Sequence, residues 1–140
     1  MGAEQERVVR EFLKCMEGLM DVEAMTALMT DDFVWQINVP LAKIVSGRDA
    51  ARAEAERQST MSTGMLPGSE IRSIASNDHT VFTERVDVVE VGGKRLTVHI
   101  NGIFEVRDGK IAAWREYFDS TDFALQLGVD AKVLYEAVGT

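Results

Sequence analysis

The stretch Thr83-Glu84-Arg85-Val86-Asp87-Val88-Val89-Glu90-Val91 decides how the rest of the chain is read. β-Branched residues crowd it, which favours a strand, and strand side chains alternate between two faces. With that period Arg85 and Asp87 share a face with Val81, Val89 and Val91, while Val86 and Val88 take the other. A charged pair among apolar neighbours is costly to bury unless the charges meet each other or a third polar group.

Working outward, strands are predicted over residues 69–76, 80–91, 94–106 and 110–119. Asn77-Asp78, Gly92-Gly93 and Asp108-Gly109 join them as tight turns, so the four strands form an antiparallel meander. Upstream, Val8, Phe12, Cys15 and Leu19 mark one stripe of an amphipathic helix over residues 4–20. Asp21 suits the N-cap of a short second helix over 22–29. Residues 33–39 read as a strand running into Pro40, 41–47 as a loop, and the Ala- and Arg-rich segment from Arg48 as a surface helix. Downstream, Phe123, Leu127, Leu134 and Val138 fall on one side of a helical stretch over 121–138 that Gly128 can divide. The expected class is α+β: a curved, mixed or mostly antiparallel sheet packed against N-terminal and C-terminal helices that enclose a pocket, in one domain over 1–140.

Composition narrows the functions. Fifteen Lys and Arg against 23 Asp and Glu give a net charge of -8, which repels nucleic acid and anionic lipid. No apolar run approaches a membrane span, and the first residues lack the basic-then-apolar order of a secretory signal, so a cytoplasmic location is expected. Cys15 has no second cysteine to pair with, and its place on the helical stripe makes it a core residue. His79 and His99 have no companion at a metal-ligand spacing, and Gly92-Gly93 precedes no helix that could bind phosphate. Neither a metal nor a cofactor is expected. Chemistry must come from carboxylates, an arginine and amides.

The final strand ends Trp114-Arg115-Glu116-Tyr117-Phe118-Asp119, and Asp119 is taken as the third group that meets Arg85 and Asp87. At this point the chain resembles the limonene-1,2-epoxide hydrolase family, which shares the cone-shaped fold of nuclear transport factor 2 and ketosteroid isomerase. The resemblance rests on Asn38-Val39-Pro40-Leu41 with Ser46-Gly47-Arg48-Asp49-Ala50, on Glu84-Arg85-Val86-Asp87-Val88, and on Gly102-Ile103-Phe104-Glu105-Val106 followed by the terminal stretch just quoted. It covers most of the chain.

The resemblance implies residue roles. Asp87 matches the general acid that protonates an epoxide oxygen, Asp119 the base that takes a proton from water, and Arg85 the residue bridging them. Asn38 matches an amide that helps hold the water, but Gln36 stands where the family has Tyr, so two amides on one strand face are expected to hold it. The chemistry is consistent with this: a strained ether leaves as an alkoxide unless protonated, and water attacks poorly until a base deprotonates it. Trp35, Val89, Val98 and Ile100 are expected to line an apolar pocket, with Leu96, Gly102 and Phe104 on the same strand face as the last two. The partner is then a hydrophobic, cyclic or terpene-like epoxide. Phe82, Val86, Val88, Trp114 and Phe118 are assigned to the opposite sheet face, whose apolar character suggests a homodimer, as the family also implies. Rival readings are a ketosteroid isomerase-like or polyketide cyclase-like proton-transfer enzyme, or a small-molecule-binding dimer without catalysis.

Overall fold

Alternating apolar residues build a sheet, and residues repeating every three or four positions build the helices that pack on it. The computed structural model describes residues 2–41 and 43–138. In chain order it contains α1 (Gly2–Lys14), α2 (Val22–Ala27), β1 (Met29–Gln36), β2 (Ile44–Ser46), α3 (Arg48–Ser59), β3 (Glu70–Ser76), β4 (Thr80–Val91), β5 (Lys94–Arg107), β6 (Lys110–Phe118), α4 (Ser120–Leu127) and α5 (Ala131–Val138). The expected α+β class is observed. No helix among the described residues is long and apolar enough to cross a membrane.

The strands form one sheet in the order β2-β1-β6-β5-β4-β3. The predicted meander is β3 to β6, antiparallel throughout. β1 joins its edge parallel to β6, with Trp35 opposite Trp114, and the short β2 lies in the segment expected to be a loop. Gly128, at φ 78°, separates α4 from α5 because its backbone there is left-handed. The side chain of Val138 lies outside the described residues.

Two apolar clusters hold the sheet to its helices. The larger unites Val8, Val9, Phe12 and Leu13 of α1 with Phe33, Val81, Phe104, Ile111 and Trp114 of the sheet. The smaller gathers Leu96, Val98 and Ile100 with Val89, Phe118, Phe123 and Leu127. On β4, Val81 belongs to the first and Val89 to the second, and the positions between them on that face are Thr83, Arg85 and Asp87. α1 stops at Lys14, short of the expected helix, so Leu19 is exposed, while Cys15 packs partly buried against the core.

The register of β6 carries the main departure from the sequence reading. Val106 pairs with Ile111, both buried, but beyond them a bulge shifts the pairing, so that Phe104 faces Trp114, Gly102 faces Glu116 and Ile100 faces Phe118. An extra residue in a strand reverses which side chains face inward. Strict alternation from Ile111 would have turned Arg115, Tyr117 and Asp119 inward. The bulge turns Trp114, Glu116 and Phe118 inward instead, so Trp114 and Phe118 do not belong to the outer face. Val86 and Val88 do face away from the cavity but are buried, and Phe82 remains exposed.

Candidate active site

A cavity of about 380 Å³ opens between the sheet and the helices. Trp35 of β1 with Ile37 just beyond it, Val89 of β4, Val98 and Ile100 of β5, and Phe118 of β6 supply its sheet wall. Met16, Met20 and Met65 line it from the chain before β3, and Phe123, Leu127 and Leu134 from α4 and α5. Its ionisable lining is Arg57, Arg85, Asp87 and Glu116. Arg57 is exposed and engaged by Glu54 through two hydrogen bonds. The remaining three charges sit together in the sheet wall.

Arg85 is the largest fully buried side chain among the described residues, only 2% exposed. It donates from Nε and Nη2 to the two Asp87 oxygens at 3.2 and 3.1 Å. From Nη2 and Nη1 it donates to the two Glu116 oxygens at 2.7 and 3.3 Å, and Nη1 also reaches Thr83 Oγ1 at 3.0 Å. Every N–H direction of the guanidinium fork is thus aimed at two carboxylates and a hydroxyl, the arrangement for which its planar geometry is suited. Thr83, Gly102 and Glu116 lie in one row across β4, β5 and β6. Gly102 leaves the gap in that row through which the guanidinium spans: a Cβ there would lie 2.5 Å from both Arg85 Nη1 and Glu116 Oε2.

Burial opposes the Arg85 charge, but the Glu116 and Asp87 carboxylates outweigh it and raise its pKa, so Arg85 remains a cation. Burial pushes the Glu116 carboxyl above its ordinary value; Arg85 pulls against that shift and Asp87 adds to it. One guanidinium between two carboxylates leaves the trio with a net negative charge if both are ionised, and neutral if they share one proton.

The structure therefore corrects the expected trio. Asp119 takes no bond from Arg85 and does not line the cavity. It is exposed and is the N-cap of α4, its Oδ1 accepting from the backbone N–H of Thr121 at 2.9 Å and of Asp122 at 3.1 Å. The carboxylate that meets Arg85 is Glu116, three residues earlier and on the other face of β6. The Trp114-x-Glu116-x-Phe118 alternation, an acid between two large aromatics, was the available signal.

The two amides are corrected as well. Trp35 and Ile37 face the cavity, and the intervening parity turns Gln36 and Asn38 away from it. Gln36 donates to the Leu41 carbonyl at 3.4 Å. Asn38 is buried, its Oδ1 accepting from Phe118 N–H at 3.4 Å beside a cis Val39–Pro40 bond, so it ties the end of β1 to β6. Trp35, Val89, Val98 and Ile100 do line the cavity.

Residues 3–128 match the model of the limonene-1,2-epoxide hydrolase catalytic domain. The chain is 33% identical over 114 residues to epoxide hydrolase EphG of Mycobacterium tuberculosis, covering 81% of this chain and 72% of that protein. The structure of an M. tuberculosis LEH-like epoxide hydrolase superposes with a TM-score of 0.77 at 30% identity, over 89% of this chain and 90% of that one. A protein of ketosteroid isomerase-like fold from Catenulispora acidiphila superposes with a TM-score of 0.76 at 16% identity, over 89% and 95% of the two chains, a likeness of fold alone. The fold is thus that of the nuclear transport factor 2-like and ketosteroid isomerase-like proteins, and the chain belongs to the limonene-1,2-epoxide hydrolase family.

Proposed function

We propose that this protein adds water to an apolar epoxide in one step, giving a vicinal diol, with Asp87, Arg85 and Glu116 as its acid/base set. One observation carries the reading: a single buried arginine holds two carboxylates in the wall of an otherwise apolar cavity. Membership of an epoxide hydrolase family supports it. Asp87, in the position that the resemblance assigns to the general acid, gives its proton to the epoxide oxygen as the C–O bond breaks. Glu116 takes a proton from the attacking water, so the pair's total charge is unchanged, and Arg85 holds both groups throughout. No covalent enzyme ester forms, and the chemistry calls for neither metal nor cofactor. The lining suits a compact hydrocarbon skeleton, cyclic or terpene-like, at the small end of the volumes usual for ligand pockets. A proton-shuttling isomerase would need one carboxylate, which favours hydrolysis here.

Incubation with limonene oxide and cyclohexene oxide in isotopically labelled water tests the proposal. The expected product is a diol with a single labelled oxygen, formed by the native chain and lost in Glu116→Gln and Asp87→Asn. Absence of diol from a broad epoxide panel would refute it. The homodimer is part of the same proposal: Phe82, Ile103 and Tyr117 share a groove on the sheet face turned from the cavity. Sedimentation equilibrium checks it, and a monomer at micromolar concentration would remove it.

A further inference from the structure

A buried N–H without an acceptor is costly, so native proteins supply one from protein or water. Among the described residues the buried side-chain polar atoms that lack any partner are Gln5 Oε1, Trp35 Nε1 and Trp114 Nε1, and both tryptophans line the cavity. Their rings stack at 4.8 Å between centroids and 8° between planes, at adjacent positions of β1 and β6. The other polar side chains of the lining are already engaged. Ser62 and Thr63 donate to backbone carbonyls, Gln58 donates to Glu54, and Arg85 is saturated. The amides expected to hold a water face elsewhere. The cavity therefore contains a base with an acidic partner, and two indole donors that make no well-formed hydrogen bond.

We propose, resting on the hydrolase reading above, that the Trp114 indole N–H holds the attacking water by donating to its oxygen while Glu116 accepts the water's proton. Trp114 and Glu116 are two residues apart on the same strand face and both line the cavity, so their Cβ atoms stand about 7 Å apart and the two side chains open onto the same space. The indole N–H is directed at Glu116 and helps hold that carboxyl ionised, but its geometry falls short of a well-formed hydrogen bond, so a water oxygen beside the carboxylate can complete its bonding. The valences balance. The water oxygen uses one lone pair to accept from Trp114 and the other to form the new bond to carbon. Its proton passes to Glu116, the electron pair of the breaking C–O bond goes to the epoxide oxygen, and that oxygen takes the Asp87 proton. Only one lone pair can be spared, so a single indole serves. Trp35 pairs with Trp114, lies one step farther along the sheet from Glu116, and acts by stacking to fix the Trp114 ring plane.

Two measurements on the full chain test this. In the unliganded protein labelled with nitrogen-15 at tryptophan, the Trp114 Hε1 resonance should show a rotating-frame Overhauser contact to a long-lived water. Its absence would overturn the proposal. Trp114→3-benzothienylalanine keeps the bicyclic shape and replaces N–H by sulfur. It should lower kcat by about tenfold to a hundredfold with KM nearly unchanged. An unchanged kcat at position 114, or a raised KM alone, would mean that the indole donates to substrate or to nothing, and the assignment would fall. If the native chain opens no epoxide at all, the hydrolase reading fails by itself, and the water contact still decides whether Trp114 holds a water.

Discussion

Replacing Arg85 by Met should uncover the charge problem that the site solves. The substitution keeps a long apolar stem and deletes five hydrogen bonds, two to Asp87, two to Glu116 and one to Thr83. Removing one member of a buried ionic set costs about 3 to 5 kcal/mol, because the charges left behind are uncompensated. Total stabilities of about 5 to 15 kcal/mol make that a large share. The loss should depend on pH in a defined sense. Arg85 lowers the Glu116 pKa, which burial raises, so without Arg85 it moves further up. A carboxyl that binds its proton more tightly in the folded state destabilises the fold above its unfolded pKa, and stability falls as pH rises through the folded value. Urea unfolding followed by fluorescence of the two buried tryptophans should therefore show the full deficit at neutral pH and a smaller one near about pH 5. Adding Glu116→Gln to Arg85→Met should restore part of it. A loss below about 1 kcal/mol at neutral pH, or one independent of pH, would refute the claim that the carboxylates depend on this cation.

Other expectations follow from the same geometry. Asp119→Ala should cost about 1 kcal/mol through loss of the α4 cap and leave kcat/KM within about threefold, while Glu116→Gln lowers kcat at least about a hundredfold; the opposite pattern in steady-state kinetics would return the base to Asp119. Gly102→Ala should push Arg85 and Glu116 apart, costing about 1 to 3 kcal/mol in thermal unfolding and most of the activity, and native-like activity would show that the gap in the strand row is dispensable. The profile of kcat/KM against pH should fall on the acid side as Glu116, the base, gains a proton, at a pH above the usual carboxylate range because burial raises its pKa, and a profile flat across that range would exclude Glu116 as the base.

The sequence alone determined whatever depends on local periodicity. Thr80–Val91 lies where its β-branched alternation places it, the Gly-containing turns set the antiparallel meander, and Gly128 divides the last helices. It also determined that Arg85 and Asp87 face inward together with Val89, since a regular strand keeps its parity. Tertiary structure alone decided the second carboxylate. A bulge near the start of β6 adds one residue, and one residue exchanges Asp119 for Glu116 on the cavity face. Register across a sheet is a contest between the turn, the bulge and the burial of Trp114 and Phe118, and no window of sequence contains all three. The same non-local pairing of β1 with β6 brought two tryptophans into contact and turned Gln36 and Asn38 away from the cavity that they were expected to serve.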